Sequence, residues 1–168
     1  MKFKIYLSKV ISLLFSALLF FSFKPSYWEF NKDERNTIYS SITKVFKDQN
    51  CSINTIDDTF YTITKYDSIV GYLAVTNAPS KFLTFDYYVL FDNKTEILKV
   101  EILDYRENWG AEICSKNWLS NFIHISTDNY PEYNRRIDGI SGATISVNSI
   151  KRDVFKVSNI LRKTVLDN

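Results

Sequence analysis

The 168-residue sequence has few of the side chains that hold metal centres. It contains two cysteines, Cys51 and Cys114, and a single histidine, His124. So small a supply of ligands excludes a zinc finger, an iron–sulfur cluster and a CxxCH haem site, and we predict no metal ligands. The two cysteines could form a disulfide in an oxidising compartment, and the sequence leaves that pairing open.

Glycine and proline are also scarce, with four and three residues. Their scarcity excludes a fibrous chain and a low-complexity linker. Hydrophobic residues make up 45% of the sequence and aromatic residues 16%. Because each aromatic ring buries a large area, a single domain with a packed core is attainable.

The chain lacks a strong excess of either charge, since 21 basic and 19 acidic residues give a formal net charge of +2. The basic surplus lies at the N-terminus, where four lysines precede the first acidic residue: Lys2, Lys4, Lys9 and Lys24. Without those four, 17 basic residues stand against 19 acidic ones. This balance excludes nucleic-acid binding by bulk charge.

An apolar run over residues 10–23 follows the first lysines and ends at Lys24. It is shorter than the roughly 20 residues of a transmembrane helix, yet no pair of small residues marks a signal cleavage site. We therefore predict that residues 1–24 are a signal peptide or a membrane anchor, and we favour an anchor in which residues 5–23 enter the membrane. The lysines predict a domain on the periplasmic or exterior side of the cytoplasmic membrane. Cleavage would leave that domain soluble in the periplasm.

The rest of the chain has the pattern of one α+β domain, an antiparallel sheet with flanking helices. Asn31 and Glu34 have capping-box spacing, and the apolar residues that follow predict a helix over 32–48. Residues 92–95 are a candidate hairpin turn, with Asn or Asp available for a positive φ. Runs rich in aromatic and β-branched residues predict four strands, at 59–66, 69–76, 82–91 and 96–103.

The C-terminal part of the sequence predicts two more helices. A short helix at 117–123 would bury Trp118, Leu119 and Phe122, and irregular structure is predicted at 126–136. The last helix is amphipathic, with apolar residues recurring at intervals of three and four: Val147, Ile150, Val154, Val157 and Leu161. We divide the chain into the N-terminal segment 1–24, a linker and helix at 25–58, and the functional domain at 59–168.

A segment of small and hydroxyl-bearing residues, 138–146, comes just before the last helix. It holds two of the four glycines, so it predicts backbone conformations that other residues resist. One interpretation is an ordinary turn in which Thr144 or Ser146 caps the helix. The other is a phosphate site, because a helix N-terminus presents unpaired N–H groups and the positive end of a dipole.

Five residues of this segment, Asp138, Ser141, Gly142, Ala143 and Thr144, fit the pattern D-x-x-[ST]-G-A-[ST]. The segment thereby resembles the FMN-binding domain of the flavin-carrying C and G subunits of sodium-pumping and Rnf-type electron-transport complexes. The resemblance implies that these five residues bind FMN. It also implies that a separate flavin transferase takes FMN from FAD and esterifies its phosphate onto Thr144.

A second stretch, residues 107–110, resembles the loop of that family that lies against the flavin ring. The best-known members carry Glu-Thr-Pro-Gly-Leu-Gly there, whereas this chain has Glu107, Trp109 and Gly110 without the proline, and is more similar to the small stand-alone exported members. The resemblance covers residues 60–165 and implies that these three residues also bind the cofactor. Trp109 or Trp118 would offer the ring an aromatic face.

The resemblance implies a flavoprotein that passes electrons between membrane or periplasmic redox partners, rather than an enzyme with its own substrate. The sequence contains no GxGxxG motif, so it does not predict a nicotinamide site. One alternative is an anchored FMN-binding sensor that transfers no electrons. Another is a serine hydrolase using Ser141, although Ala143 replaces the last glycine of the G-x-S-x-G motif and His124 precedes the serine. We predict that His124 is structural.

Overall fold

The computed structural model of the chain describes residues 31–124, 128 and 130–166. The predicted signal or anchor segment, residues 1–24, lies outside this part of the chain. Among the described residues, no helix combines the length and the hydropathy that a membrane crossing requires.

Five strands form one antiparallel sheet in which each strand pairs with its neighbour in the sequence. The sheet and the helices around it confirm the predicted α+β class. Four strands match the predicted ones to within a few residues, and one at the N-terminal edge was not predicted. The strands are β1 (Ser52–Thr55), β2 (Phe60–Lys65), β3 (Ser68–Pro79), β4 (Thr84–Asp92) and β5 (Ile97–Tyr105).

Helices cover both faces of the sheet. On one face lies α1 (Lys32–Phe46); on the other lie α2 (Lys116–Leu119), α3 (Tyr130–Arg136) and α4 (Thr144–Leu166). Alternate residues of β4 serve the two cores: Tyr87 and Val89 pack with the C-terminal helices, and Tyr88 and Leu90 pack with α1. Because both faces of its central part are buried, residues 87–91 of β4 are all aromatic or aliphatic.

The capping box and the amphipathic last helix are confirmed. The Asn31 side chain accepts hydrogen bonds from the Asp33 and Glu34 N–H groups at 3.0 and 2.9 Å, and a Glu34 carboxylate oxygen accepts one from the Asn31 N–H. The helix α4 starts at Thr144, and all five residues of its predicted apolar face are buried. Because α4 starts at Thr144, residues 138–144 lie at the edge of the core that the C-terminal helices form with the sheet.

Three local expectations need correction. Residues 130–136 form α3 rather than irregular structure, and Tyr133 anchors that helix by packing against Phe155 with ring centroids 5.6 Å apart. The helix predicted at 117–123 is split into α2 and 3-10 turns at Ala111–Cys114 and Ser120–Phe122, although Trp118, Leu119 and Phe122 are buried as predicted. Separately from these corrections, the disulfide that the sequence left open is not formed, since the thiols of Cys51 and Cys114 are free.

The turn between β4 and β5 is the third correction. Its positive φ, 66°, falls on Thr95 rather than on an Asn or Asp. Asp92 acts through its side chain, which accepts hydrogen bonds from the Lys94 and Glu96 N–H groups at 2.8 Å. The acidic residue therefore stabilises the turn by bonding to the backbone.

A polar cluster ties α1 to the sheet. The Tyr88 hydroxyl donates to Glu101, and Lys99 Nζ lies 2.8 Å from the same carboxylate and 2.7 Å from Ser41 Oγ. Burial raises the pKa of Glu101, but hydrogen bonds from Lys99, Tyr88 and Ser41 outweigh burial, so the pKa lies below its usual range. Glu101 is therefore an ionised partner of α1.

We expect Glu101→Gln to lower the free energy of unfolding by about 1–3 kcal/mol at pH 7, because bonds to a charged acceptor are replaced by weaker ones. A carboxyl group whose pKa is lower in the folded than in the unfolded protein stabilises the fold. Its contribution is complete above the unfolded pKa and is lost as pH falls through the folded pKa. The difference between wild type and variant should therefore narrow between about pH 5 and pH 3.

Urea unfolding at a series of pH values measures this difference. Glu112→Gln, at an exposed glutamate, is the control and should leave stability close to wild type. A loss in Glu101→Gln that is as large at pH 3 as at pH 7 would contradict a role for the ionised carboxylate.

Candidate functional site

The segment 138–144 leads directly into α4. Gly142 has a φ of +81°, and the Ala143 N–H donates to the Ile140 carbonyl at 3.2 Å to close a turn. The Ala143 carbonyl then accepts the first helical hydrogen bond, from Val147 N–H at 2.9 Å. Thr144 is thus the first residue of the helix, and it is exposed to solvent. Its position places it beside the free N–H groups of the helix N-terminus.

The loop 107–110 meets this segment where Gly110 packs closely against Ala143. Gly110 has a φ of +80°, and a Cβ on it would lie 2.8 Å from Ala143 Cβ. Only a glycine allows both this conformation and this approach. Gly110 and Ala143 are 33 positions apart in the chain, and their contact brings together, one residue before Thr144, the two stretches that the sequence singled out.

Glu107 braces the connection between β3 and β4. Its Oε1 accepts hydrogen bonds from Ser80 Oγ at 2.6 Å, Phe82 N–H at 2.7 Å and Leu83 N–H at 3.1 Å. The bonds from Ser80 and Phe82, with help from the Lys81 charge, hold the pKa of Glu107 below its usual range. The carboxylate is therefore ionised, and it fixes residues 80–83 next to the loop 107–110.

These three segments enclose an open pocket of about 470 Å³, a size typical of small-molecule sites. Large apolar side chains stand exposed around it: Phe82 is 75% exposed, Trp109 80% and Ile145 51%. Lys81 and Glu107 are the charged residues in the lining. Predicted site residues that line the pocket are Glu107, Trp109, Gly142, Ala143 and Thr144.

Residues 84–157 match the family model of the FMN-binding domain. This part of the chain belongs to the FMN-binding domain family. The match begins at the first residue of β4, includes both the loop 107–110 and the segment 138–144, and ends within α4. A comparison with curated proteins gives no match.

The pocket of the FMN-binding domain suits its cofactor in three respects. A phosphate fits at the N-terminus of α4, where N–H groups and the helix dipole favour an anion. A planar ring needs apolar neighbours, and Phe82, Trp109 and Ile145 provide them. The ammonium group of Lys81 supplies a positive charge in the same lining.

Three predicted residues lie elsewhere in the FMN-binding domain. Asp138 and Ser141 are exposed and outside the pocket lining, and the Asp138 carbonyl accepts a hydrogen bond from the Trp118 indole at 3.0 Å. Gly110 is outside the pocket lining and contacts Ala143, which is in it. Of the two candidate aromatic faces, Trp118 is only 8% exposed and belongs to the core, so Trp109 is the one at the pocket.

Sequence reasoning missed several lining residues. Lys81 and Phe82 come from the β3–β4 connection, and no local motif marks them. Tyr105, at the end of β5, donates a hydrogen bond to the Trp109 carbonyl at 3.0 Å and lies 3.1 Å from Ser146 Oγ. Ser146 was considered only as a helix cap, whereas its side chain is 4% exposed and contacts Tyr105.

His124 lies outside the pocket lining. Its φ is +54°, its N–H donates to the Ile97 carbonyl at 3.1 Å, and its side chain is exposed. These contacts involve the backbone at the start of β5 rather than the segment that carries Ser141. They give no support to a pairing of His124 with that serine.

Proposed function

We propose that the chain is a flavoprotein that carries FMN esterified to Thr144 and shuttles electrons outside the cytoplasm. The observation that supports this most is the position of Thr144. It is exposed, it starts a 23-residue helix, and it lines the same pocket as Phe82 and Trp109. A phosphate on its hydroxyl would therefore lie at the helix N-terminus, with room beside it for an apolar ring.

The attachment would require a flavin transferase as partner and FAD as donor. The pyrophosphate bond of FAD breaks, a bond forms between Thr144 Oγ and the phosphorus of FMN, and AMP leaves with the proton of the hydroxyl. The product is a phosphodiester with one negative charge. The N-terminus of α4 and the nearby Lys81 stabilise that charge.

The bound flavin would supply the redox chemistry, and this chain's residues would hold and orient it. Trp109 and Phe82 stand on the two loops that flank Thr144, so they can cover the faces of a ring tethered there. The pocket is open to solvent on the side of these exposed side chains. A ring edge left at that opening is accessible to membrane or periplasmic redox partners.

The proposed location follows from the N-terminal sequence. Lysines before the apolar run support export, with residues 5–23 as an anchor or a removed signal. A covalent bond suits a flavin carrier in that compartment, because retention of the cofactor no longer depends on its affinity. The domain that carries it is proposed to span residues 59–168.

Sealed right-side-out membrane vesicles from a strain producing the flavinylated protein test location and role together. NADH enclosed within the vesicles, or a membrane-permeant quinol added to them, should reduce the Thr144-bound flavin, and ferricyanide, which does not cross the membrane, should reoxidise it from outside. The visible absorbance of the flavin reports both steps, with vesicles containing a Thr144→Ala protein as the control.

Each failure has a separate meaning in this experiment. A flavin that stays oxidised with every donor, with extracytoplasmic electron flux unchanged by deleting the gene, would contradict the carrier role and favour the sensor. A flavin that ferricyanide reaches only after detergent is added would contradict the location.

A further inference from the structure

Three polar side chains along one face of α4 bond to the sheet. Asp153 accepts a hydrogen bond from the Tyr87 hydroxyl of β4 at 2.5 Å, and Ser149 donates to the Pro79 carbonyl of β3 at 2.5 Å. Nearest the N-terminus of α4, Ser146 bonds to Tyr105 at the end of β5. The first two fix the helix on the sheet, because directional bonds resist the sliding that apolar packing alone tolerates.

The bond nearest the pocket differs from the other two because it also reaches the loop 107–110. A hydroxyl group carries one proton, and Tyr105 donates its proton to the Trp109 carbonyl at 3.0 Å. Ser146 therefore donates to the Tyr105 oxygen at 3.1 Å. The chain of bonds runs from α4 through Tyr105 to the backbone of the loop.

Thr144 lies between two connections to this loop. One residue before it, Ala143 touches Gly110; two residues after it, Ser146 binds Tyr105. Ser146 is buried, and the Tyr105 ring packs against Phe85 with centroids 5.6 Å apart. Core packing therefore supports both residues of the Tyr105–Ser146 hydrogen bond, which we call the bridge. The loop and the first turn of the helix are thus held at one separation.

We propose that Tyr105 and Ser146 are positioning residues that present Thr144 for flavin attachment and set the distance between the attached FMN and the loop 107–110. This inference rests on the proposed function. Its physical basis is that group transfer depends steeply on the placement of the attacking oxygen, and a displacement of about 1 Å costs up to about a hundredfold in rate. Without the bridge, only the contact between Gly110 and Ala143 joins the loop to the start of α4, and nothing holds the loop on the other side of Thr144.

The test compares rates of flavin loading in full-length protein. Tyr105→Phe keeps the ring and removes the hydroxyl, and Ser146→Ala removes the other partner. Each purified variant is incubated with a flavin transferase and FAD, and covalent flavin is followed by in-gel fluorescence. We expect each variant to load about tenfold more slowly than wild type. The double variant should load no more slowly than either single one, since both remove the same bridge.

Ser149→Ala is the matched control. It removes a bond of the same kind between α4 and the sheet, but Ser149 does not line the pocket or contact the loop. We expect its melting temperature to fall about as much as that of Ser146→Ala, with the loading rate unchanged. A loading rate in Tyr105→Phe and Ser146→Ala that equals the Ser149→Ala rate would overturn the inference. Absence of loading in wild type would instead contradict the proposed function.

Discussion

Thr144→Ala is expected to abolish covalent FMN completely, since the alanine has no oxygen to form the phosphoester. Thr144→Ser should retain the flavin, because it keeps a hydroxyl at the first residue of α4. Both proteins are produced with a flavin transferase in an exporting host. The mass of the intact wild-type protein should rise by one FMN residue, and its denatured gel band should fluoresce.

Two results would contradict this assignment. One is covalent flavin on the Thr144→Ala protein, which would place the acceptor elsewhere. The other is a wild-type protein that carries no flavin but is labelled at Ser141 by a fluorophosphonate, which is the outcome expected of a serine hydrolase. The two outcomes differ in mass and in the labelled peptide, so a single digestion and mass measurement separates them.

Gly110→Ala is expected to destabilise the protein strongly. A positive φ costs a non-glycine residue roughly 1–2 kcal/mol. The new Cβ would also lie 2.8 Å from Ala143 Cβ, which adds about 1–3 kcal/mol of overpacking. The expected loss in the free energy of unfolding is therefore about 2–5 kcal/mol in total, measured by urea unfolding.

Gly142→Ala separates the two causes. Its φ of +81° is almost the same as that of Gly110, but among the described residues, apart from its two chain neighbours, no atom lies within 4 Å of a Cβ placed there. Gly142→Ala should therefore lower the free energy of unfolding only by the cost of the positive φ. Adding Ala143→Gly to Gly110→Ala removes the clashing methyl group, so the double variant should recover part of the loss. Equal losses in Gly110→Ala and Gly142→Ala would show that the contact with Ala143 is unimportant.

The sequence predicts those parts of the fold that are signalled locally. The apolar run of β4 and the spacing of Asn31 and Glu34 are patterns within a few residues, and both are confirmed. β1 was missed because it is four mostly polar residues at the edge of the sheet, held by pairing with β2 rather than by burial. The helix α3 was missed because its one buried anchor, Tyr133, gives no periodicity.

The residues of the candidate site also differ in whether a local pattern in the sequence marks them. Residues 138–144 form a contiguous motif, so the sequence indicates Thr144 directly. Lys81, Phe82 and Tyr105 reach the pocket only because the ends of β3 and β5 and the start of β4 lie beside the N-terminus of α4. The use of Glu107 to hold residues 80–83 is likewise a contact across 24 to 27 positions of the chain, and no spacing rule describes it.

The neighbour-to-neighbour order of the strands has a consequence for how the domain assembles. Each hairpin of the sheet closes over a short stretch of chain, and such local pairings carry a low entropic cost and form rapidly. The core on the C-terminal side, however, stays open until α4, the last element, covers it. Gly110 and Ala143, and Tyr105 and Ser146, meet only at that step. Thr144 therefore takes its place last, so a chain that is incomplete at its C-terminus lacks the finished pocket.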